Sequence, residues 1–297
     1  MTLERSMQKI ALGRTGLQVS RIALGGYPFG GLNRANNWDP WSEEGRKSAI
    51  ATINRALDLG INYIDTAPAY GEGNSERLIG EVMKSRRDEC VLATKVRWDG
   101  IGKADVIASV RDSLKRLNTD RLDIVQFHGG MFSAEEYEHI VKGGPLEGLL
   151  ELREKGEIGF IGLTAEEPWT ARQFLKHKEF DVFQLAYNFI YQSAARHILN
   201  EARAENVGVV TMRTMTSGIF QRGVRYLAPD WQKAKDLFQV CLEFVLSDSR
   251  VHSAIVGMRW PEEVDLNVKL VNDFHPAFDF AQLPRMTVDV YRAQDAE

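Results

Sequence analysis

Short apolar runs alternate with helix-period segments along almost the whole chain, and few folds accept that pattern. The runs fall at 21–24, 62–66, 91–96, 122–127, 158–163, 182–187, 207–212 and 253–257. The helical segments that follow them are expected at 43–59, 75–84, 104–117, 146–155, 168–178, 193–205, 231–247 and 261–272. Gly60 and Gly156 sit where helices close, Pro168 suits a first turn, and Ser75 reads as an N-cap. Runs that are apolar on both faces are those of parallel strands covered by helices. Eight strand–helix units in about 250 residues predict an α/β fold, a (β/α)8 TIM barrel. A doubly wound sheet would use the same units with a change of winding direction. A short β-hairpin over 9–20, turning at Gly13–Gly16, precedes the first unit. No linker divides the chain, so 1–297 is expected to be one domain. Long connections at 27–42, 128–145, 213–230 and 274–297 are expected on the C-terminal face of the barrel.

Three successive strands carry a polar residue at their C-terminal end: Asp65, Lys95 and His128. Tyr70 follows Asp65 in a loop made tight by Gly71. A barrel builds its active site from these strand ends and the loops beyond them. A phenol is a weak acid at neutral pH. A neighbouring ammonium favours its phenolate, and a carboxylate holds that ammonium charged and in place. Tyr70, Lys95 and Asp65 thus predict a tuned general acid, and His128 a donor that orients a carbonyl oxygen. Each residue also has a plainer reading. Asp65–Lys95 can be a structural ion pair, Tyr70 packing, and His128 a satisfied polar end; the joint pattern favours catalysis.

Charge and cysteine content narrow the partners. The net charge is −4, with no long run of one sign, which argues against a nucleic-acid partner. Cys90 and Cys241 have neither metal-ligand spacing nor a disulfide framework, so no metal is expected and a reducing, cytoplasmic setting is. The N-terminal segment lacks an apolar h-region and no apolar run reaches transmembrane length, so no membrane partner is expected either. A small-molecule substrate remains; the oligomeric state stays open.

The motif Ile64-Asp-Thr-Ala-x-x-Tyr-Gly71, followed by Lys95 and by Leu122-Asp-x-x-x-x-His128, resembles the aldo-keto reductase family. The resemblance runs over about residues 8 to 273. It implies an NAD(P)H-dependent oxidoreductase that reduces an aldehyde or ketone to an alcohol, or the reverse, with hydride from the nicotinamide and a proton from Tyr70. The family binds its nucleotide without a Rossmann fingerprint. The nearest segment here, Gly71-Glu-Gly-Asn-Ser-Glu76, has Glu76 where the third glycine belongs and reads as a turn and a capped helix.

By the same resemblance Thr164 and Gln184 would meet the nicotinamide carboxamide, while Ala165 replaces an asparagine. Met212 stands where an aromatic residue commonly stacks on the nicotinamide, with Arg213 next; a thioether packs on a ring less rigidly. Gly26, Tyr27, Asp65, Thr214 and Ser217 complete that end of the implied cofactor site. Gly257, Met258, Arg259 and Asn267 match the adenosine-phosphate segment, from which Glu263 and Leu266 depart. Arg259 suits a 2′-phosphate, so NADPH is expected over NADH. The expected substrate wall is aromatic and apolar: Tyr27, Pro28, Phe29, Trp38, Trp98 and Phe132, beside His128; it suits an apolar or aromatic carbonyl and equally stacking on a sugar ring. Two other functions fit less of the pattern. One is a cofactor-binding regulatory subunit with little turnover. The other is a barrel lyase or isomerase using Lys95 as a Schiff base, which leaves Tyr70 and Arg259 unexplained.

Overall fold

The computed structural model describes residues 7–31, 37–230 and 236–275. Strands β1 (Lys9–Ala11) and β2 (Gln18–Ser20) form an antiparallel hairpin. Eight further strands close into a barrel: β3 (Ile22–Gly25), β4 (Tyr63–Asp65), β5 (Val91–Val96), β6 (Leu122–His128), β7 (Ile158–Ala165), β8 (Phe180–Ala186), β9 (Gly208–Met212) and β10 (Ser253–Gly257). Every neighbouring pair is parallel, and β10 pairs with β3 to complete the ring. The fold expected from the strand–helix alternation is therefore the one observed.

The core has two layers, as in barrels whose strands are apolar on both faces. Inside the ring, Ala23, Tyr63, Val91, Ala93, Ile124, Val182 and Val210 pack on Leu12 and Val19 from the hairpin. The hairpin plugs the N-terminal end: a Cβ on Gly208, at the start of β9, would stand 2.7 Å from Leu12 Cγ. Outside the ring, the helices pack their apolar faces on the strands. The first of them, Glu43–Asp58, is capped by Ser42, whose hydroxyl accepts the Gly45 N–H, and its acidic first turn complements the helix dipole.

Several local expectations are corrected. Ser75 does not cap its helix, which runs Asn74–Arg86 behind Gly73 in a left-handed conformation. The Ser75 hydroxyl instead donates to the Gly26 carbonyl at 2.8 Å and shares a hydrogen bond with Thr66 Oγ1. The segment 168–178 holds only Pro168–Ala171 and a 3-10 turn, Arg172–Phe174. The segment 193–205 breaks at Ile198 into Ser193–His197 and Leu199–Ala204. Within the described residues, which leave out 231–235, the helix expected at 231–247 is present as Leu237–Leu246 and is not contradicted. Two connections contain helices of their own, Ala134–Lys142 and Ile219–Leu227. The first was legible: Ser133-x-x-Glu136 is a capping box, and both of its reciprocal bonds form. Residues 32–36, 231–235 and 276–297, parts of three expected segments, lie outside the described residues.

Candidate active site

The sequence brings Asp65 and Lys95 to adjacent strand ends because both strands finish at the same rim of the barrel. Lys95 Nζ is surrounded by Asp65 Oδ1 at 2.9 Å, Asp65 Oδ2 at 2.8 Å, Thr66 O at 2.7 Å and Tyr70 Oη at 3.1 Å. The Lys95 and Asp65 side chains are 1% and 3% exposed. Tyr70 comes within reach because its loop folds tightly against the loop after β3. A Cβ on Gly71, where φ is +61°, would lie 2.5 Å from the Gly30 carbonyl oxygen, so this approach requires glycine. The Tyr70 ring then sits between Tyr27 and His128, edge to face with centroid separations of 5.3 and 5.8 Å.

An ammonium can only donate hydrogen bonds. The Tyr70 oxygen therefore accepts from Lys95, and its own hydrogen points away from the ion pair. Sequence reasoning expected Lys95 to lower the Tyr70 pKa. Burial outweighs that effect and raises it, with the Lys95 charge opposing the rise. Tyr70 is thus held as the phenol. Burial also raises Asp65, against the pull of Lys95. Burial pulls Lys95 down, but Asp65 and Tyr70 more than reverse this and keep it an ammonium. His128 is pushed down to about 3 by burial and by the charges of Lys95 and Arg97. It is a neutral imidazole near neutral pH, fit to donate one hydrogen bond without adding charge.

Gln126 is a site residue that sequence reasoning missed. It pairs in register with Lys95 on one side and Gly162 on the other. A Cβ at Gly162 would stand 3.1 Å from Gln126 Cγ, so that glycine leaves room for the side chain. Gln126 Nε2 donates to Gln184 Oε1 at 2.9 Å and lies 3.4 Å from Asp65 Oδ1. This fixes the Gln184 amide so that its nitrogen faces Met212 Sδ at 3.8 Å. The available signal was a polar residue two positions before His128, on the same strand face, within an otherwise apolar run.

The other predicted residues divide. Tyr27 is 47% exposed beside Tyr70. Trp98 packs on Phe132 at 5.7 Å, both largely buried close to the end of β5 and the loop after β6. Trp38 and Phe29 do not form a wall: both are buried, and the Trp38 indole donates to the Pro28 carbonyl while its ring packs on Trp260. Pro28 is buried too, its ring against Gly257. Gly26 is a packing turn, with its N–H committed to the Asp65 carbonyl. The Thr164 hydroxyl is committed as well, donating to Gly129 O and accepting Gly129 N–H at 3.0 Å each, so it ties down the loop after His128. Ala165, beside it, is buried.

The loop after β9 is wound left-handed at Arg213, Thr216, Ser217 and Gly218, a concentration of uncommon backbone that accompanies binding sites. Arg213 makes a bidentate pair with Glu166 at 2.5 and 2.6 Å and donates to Ser217 Oγ at 3.1 Å. Glu166 carried no sequence signal. Thr214 Oγ1 is buried with no partner, and so is Arg259 Nε in the loop after the neighbouring strand, β10. Arg259 precedes the helix Pro261–Asn272, in which Asn267 donates to Glu263 O at 2.7 Å. The Met258 side chain is in the core, leaving only its backbone for a ligand, and Gly257 is exposed. Unpartnered polar atoms at Thr214 and Arg259, a donor amide at Gln184 and a helix N-terminus fit an extended ligand that carries amide and phosphate groups.

Residues 21–284 match the aldo/keto reductase family. The chain is 30% identical over 225 residues to the aldo-keto reductase YhdN of Bacillus subtilis, covering 72% of this chain and 63% of that protein. It is 27% identical over 317 residues to the NADH-specific methylglyoxal reductase of Escherichia coli, covering 90% and 94%. It also superposes on an aldo/keto reductase of Klebsiella pneumoniae, solved with NADP and acetate, with a TM-score of 0.76 and 22% identity over 94% and 95% of the two chains.

Proposed function

The chain belongs to the aldo/keto reductase family and is an NAD(P)H-dependent carbonyl oxidoreductase, and from that premise we propose that Tyr70 supplies the proton, Lys95 and Asp65 hold Tyr70 in place, and His128 orients the carbonyl. The nicotinamide nucleotide supplies the hydride when bound. The observation that carries the reading is one ammonium bridging a buried carboxylate and a phenol oxygen. Because Lys95 donates to the phenol, the Tyr70 proton is directed outward, toward an oxygen on which charge is building. The phenolate left behind remains beside the ammonium. Neutral His128 donates to the same substrate oxygen and fixes the carbonyl relative to Tyr70.

At the nicotinamide end we assign Gln184, held by Gln126, with Met212 as the packing surface and the Arg213–Ser217 loop over the pyrophosphate. At the adenosine end we assign Gly257, Arg259, Glu263 and Asn267. Arg259 carried the expectation of NADPH, but the Glu263 carboxylate already meets it, and the balance between the two nucleotides hinges on that pair. The substrate is a small aldehyde or ketone beside the exposed ring of Tyr27, a surface that suits an apolar or aromatic carbonyl and also a sugar ring, while Trp98 is buried. Buried, unbridged Cys90 and Cys241 suit a cytoplasmic setting. No helix among the described residues is long and apolar enough to cross a membrane.

The test is turnover of a panel of small aldehydes and ketones, followed by nucleotide oxidation, with wild type and Tyr70→Phe side by side. Reduction that depends on Tyr70 supports the assignment, and reduction unaffected by the variant ends it. One observation favours the second reading, a regulatory subunit. The Thr164 hydroxyl is committed to Gly129 and Ala165 offers no amide, so the nicotinamide end has fewer free donors. Tight nucleotide binding with no reduction of any carbonyl in the panel would select that reading.

A further inference from the structure

We propose that Glu263 sets the nucleotide preference of this enzyme, by placing a carboxylate against Arg259 where the adenosine ribose is read, so that NADH binds at least as tightly as NADPH. The inference rests on the assignment of the adenosine end given above. Arg259 lies just past the last barrel strand, β10, at the N-terminus of a 12-residue helix. Barrels commonly hold phosphate at the loops after their last two strands, next to a helix N-terminus.

Arg259 cannot withdraw from Glu263 by a shift of its own backbone. Its carbonyl accepts from Ser48 Oγ at 3.2 Å and Thr52 Oγ1 at 2.9 Å. Its N–H donates to Glu263 Oε2 at 2.6 Å. Its guanidinium lies over the Trp260 ring at 5.9 Å, with Nη1 3.8 Å from Glu263 Oε1. The Arg259 side chain is 12% exposed and that of Glu263 33%, so the pair is partly screened by water, though less than a fully exposed pair would be.

The charges decide the ligand. A 2′-phosphate brings close to two negative charges at neutral pH. Arg259 offers one positive charge, and the Glu263 carboxylate already offsets it. Glu262 adds a second acid to the same first turn, and Leu266 adds no charge. A 2′-hydroxyl is a different partner, because it donates to a carboxylate instead of repelling it. An acid on the ribose hydroxyl for NAD, and an arginine on the phosphate for NADP, is the general division in dinucleotide sites. Here both residues are present and engaged with each other, which leaves the acid to read the ribose.

A plainer role for Glu263 is to cap the helix, since a carboxylate in the first turn often reaches back to a backbone N–H. Glu263→Gln separates the two roles, because the amide oxygen keeps the bond to the Arg259 N–H while the charge is lost. The experiment is the dissociation constant of NADPH and of NADH, by quenching of tryptophan fluorescence, for wild type and Glu263→Gln. Wild type should bind NADH at least as tightly as NADPH. Glu263→Gln should tighten NADPH by about tenfold, as removal of one neighbouring like charge requires, and should not tighten NADH, whose ribose hydroxyl loses a charged acceptor. Wild type binding NADPH more tightly than NADH overturns the inference, and that measurement does not depend on the variant folding. Equal changes for both nucleotides in Glu263→Gln also overturn it and leave capping as the role. Binding of neither nucleotide to wild type would instead bring down the assigned cofactor site as a whole.

Discussion

Lys95→Met tests whether the buried ion pair holds the site together. The substitution keeps the length of the side chain and removes its charge. In the structure Lys95 contacts both oxygens of Asp65, and both side chains are almost wholly buried. At the observed 2.8 Å and an effective dielectric of about 20, the gross attraction is about 6 kcal/mol. Desolvation of the two ions offsets most of that, but removing one partner leaves the other buried and unpaired, which costs about 3–5 kcal/mol. The variant should therefore lose about 3–5 kcal/mol of stability at neutral pH, read from urea unfolding followed by circular dichroism.

The loss should depend on pH in a definite direction. Burial already raises Asp65 in the intact site, and removing Lys95 removes the main opposing effect. The folded variant then holds its Asp65 proton to higher pH than the unfolded chain does. Stability is greatest below the ordinary carboxylate pKa and falls as pH rises toward the raised value. Lys95→Met should be more stable at pH 5 than at pH 8, relative to wild type at each pH. Asp65→Asn in the same chain should restore much of the loss, because the unpaired charge is then gone. A loss under about 1 kcal/mol with no pH dependence would mean that the pair contributes little, as exposed pairs do, and would refute the reasoning.

Tyr70→Phe should cut turnover by at least about a hundredfold while leaving nucleotide dissociation constants unchanged, since only the proton source is removed; preserved turnover would remove Tyr70 from the acid role. Gln126→Leu should release the Gln184 amide and weaken nucleotide binding by about tenfold, with little change in unfolding temperature because an unpartnered buried oxygen leaves with it; unchanged affinity would show that Gln184 needs no support. His128 and His252 are pushed down to about 3 and about 4, chiefly by burial, so the folded chain resists protonation that the unfolded chain accepts below pH 6.5. Their contribution is complete above that pH and is lost as pH falls, by roughly 2 kcal/mol each at pH 5. His252→Asn, which keeps an acceptor for the Val209 N–H, should remove about half of that decline; a decline of the same size in the variant would assign it elsewhere.

The barrel was legible because its signal is repetitive. Eight apolar runs at regular spacing leave little choice when each must be buried on both faces, and only irregular boundaries escaped, as at Ile198 and in the short turn Pro168–Ala171. The polar residues at strand ends were legible for a related reason: a charged residue closing an apolar run must lie at a rim. Asp65, Lys95 and His128 follow that pattern, Tyr70 stands in the loop beyond the first strand, the family motif marks all four, and the structure brings them together.

Tertiary structure decided whatever depended on which groups already had partners. The family resemblance implies a phosphate contact for Arg259 and a carboxamide contact for Thr164. Whether Arg259 meets Glu263 first, or Thr164 meets Gly129, depends on rotamers and on loops brought together from distant segments. The Tyr70 pKa moved opposite to expectation for the same reason, because burial and the lysine charge compete and the sequence contains only the charge. Gln126 needed the barrel most of all. Within its strand it is an isolated polar residue, and only closure of the ring places it between Asp65 and Gln184. Sequence specifies where a side chain can point, whereas the balance of desolvation, charge and hydrogen bonding is a property of the packed interior.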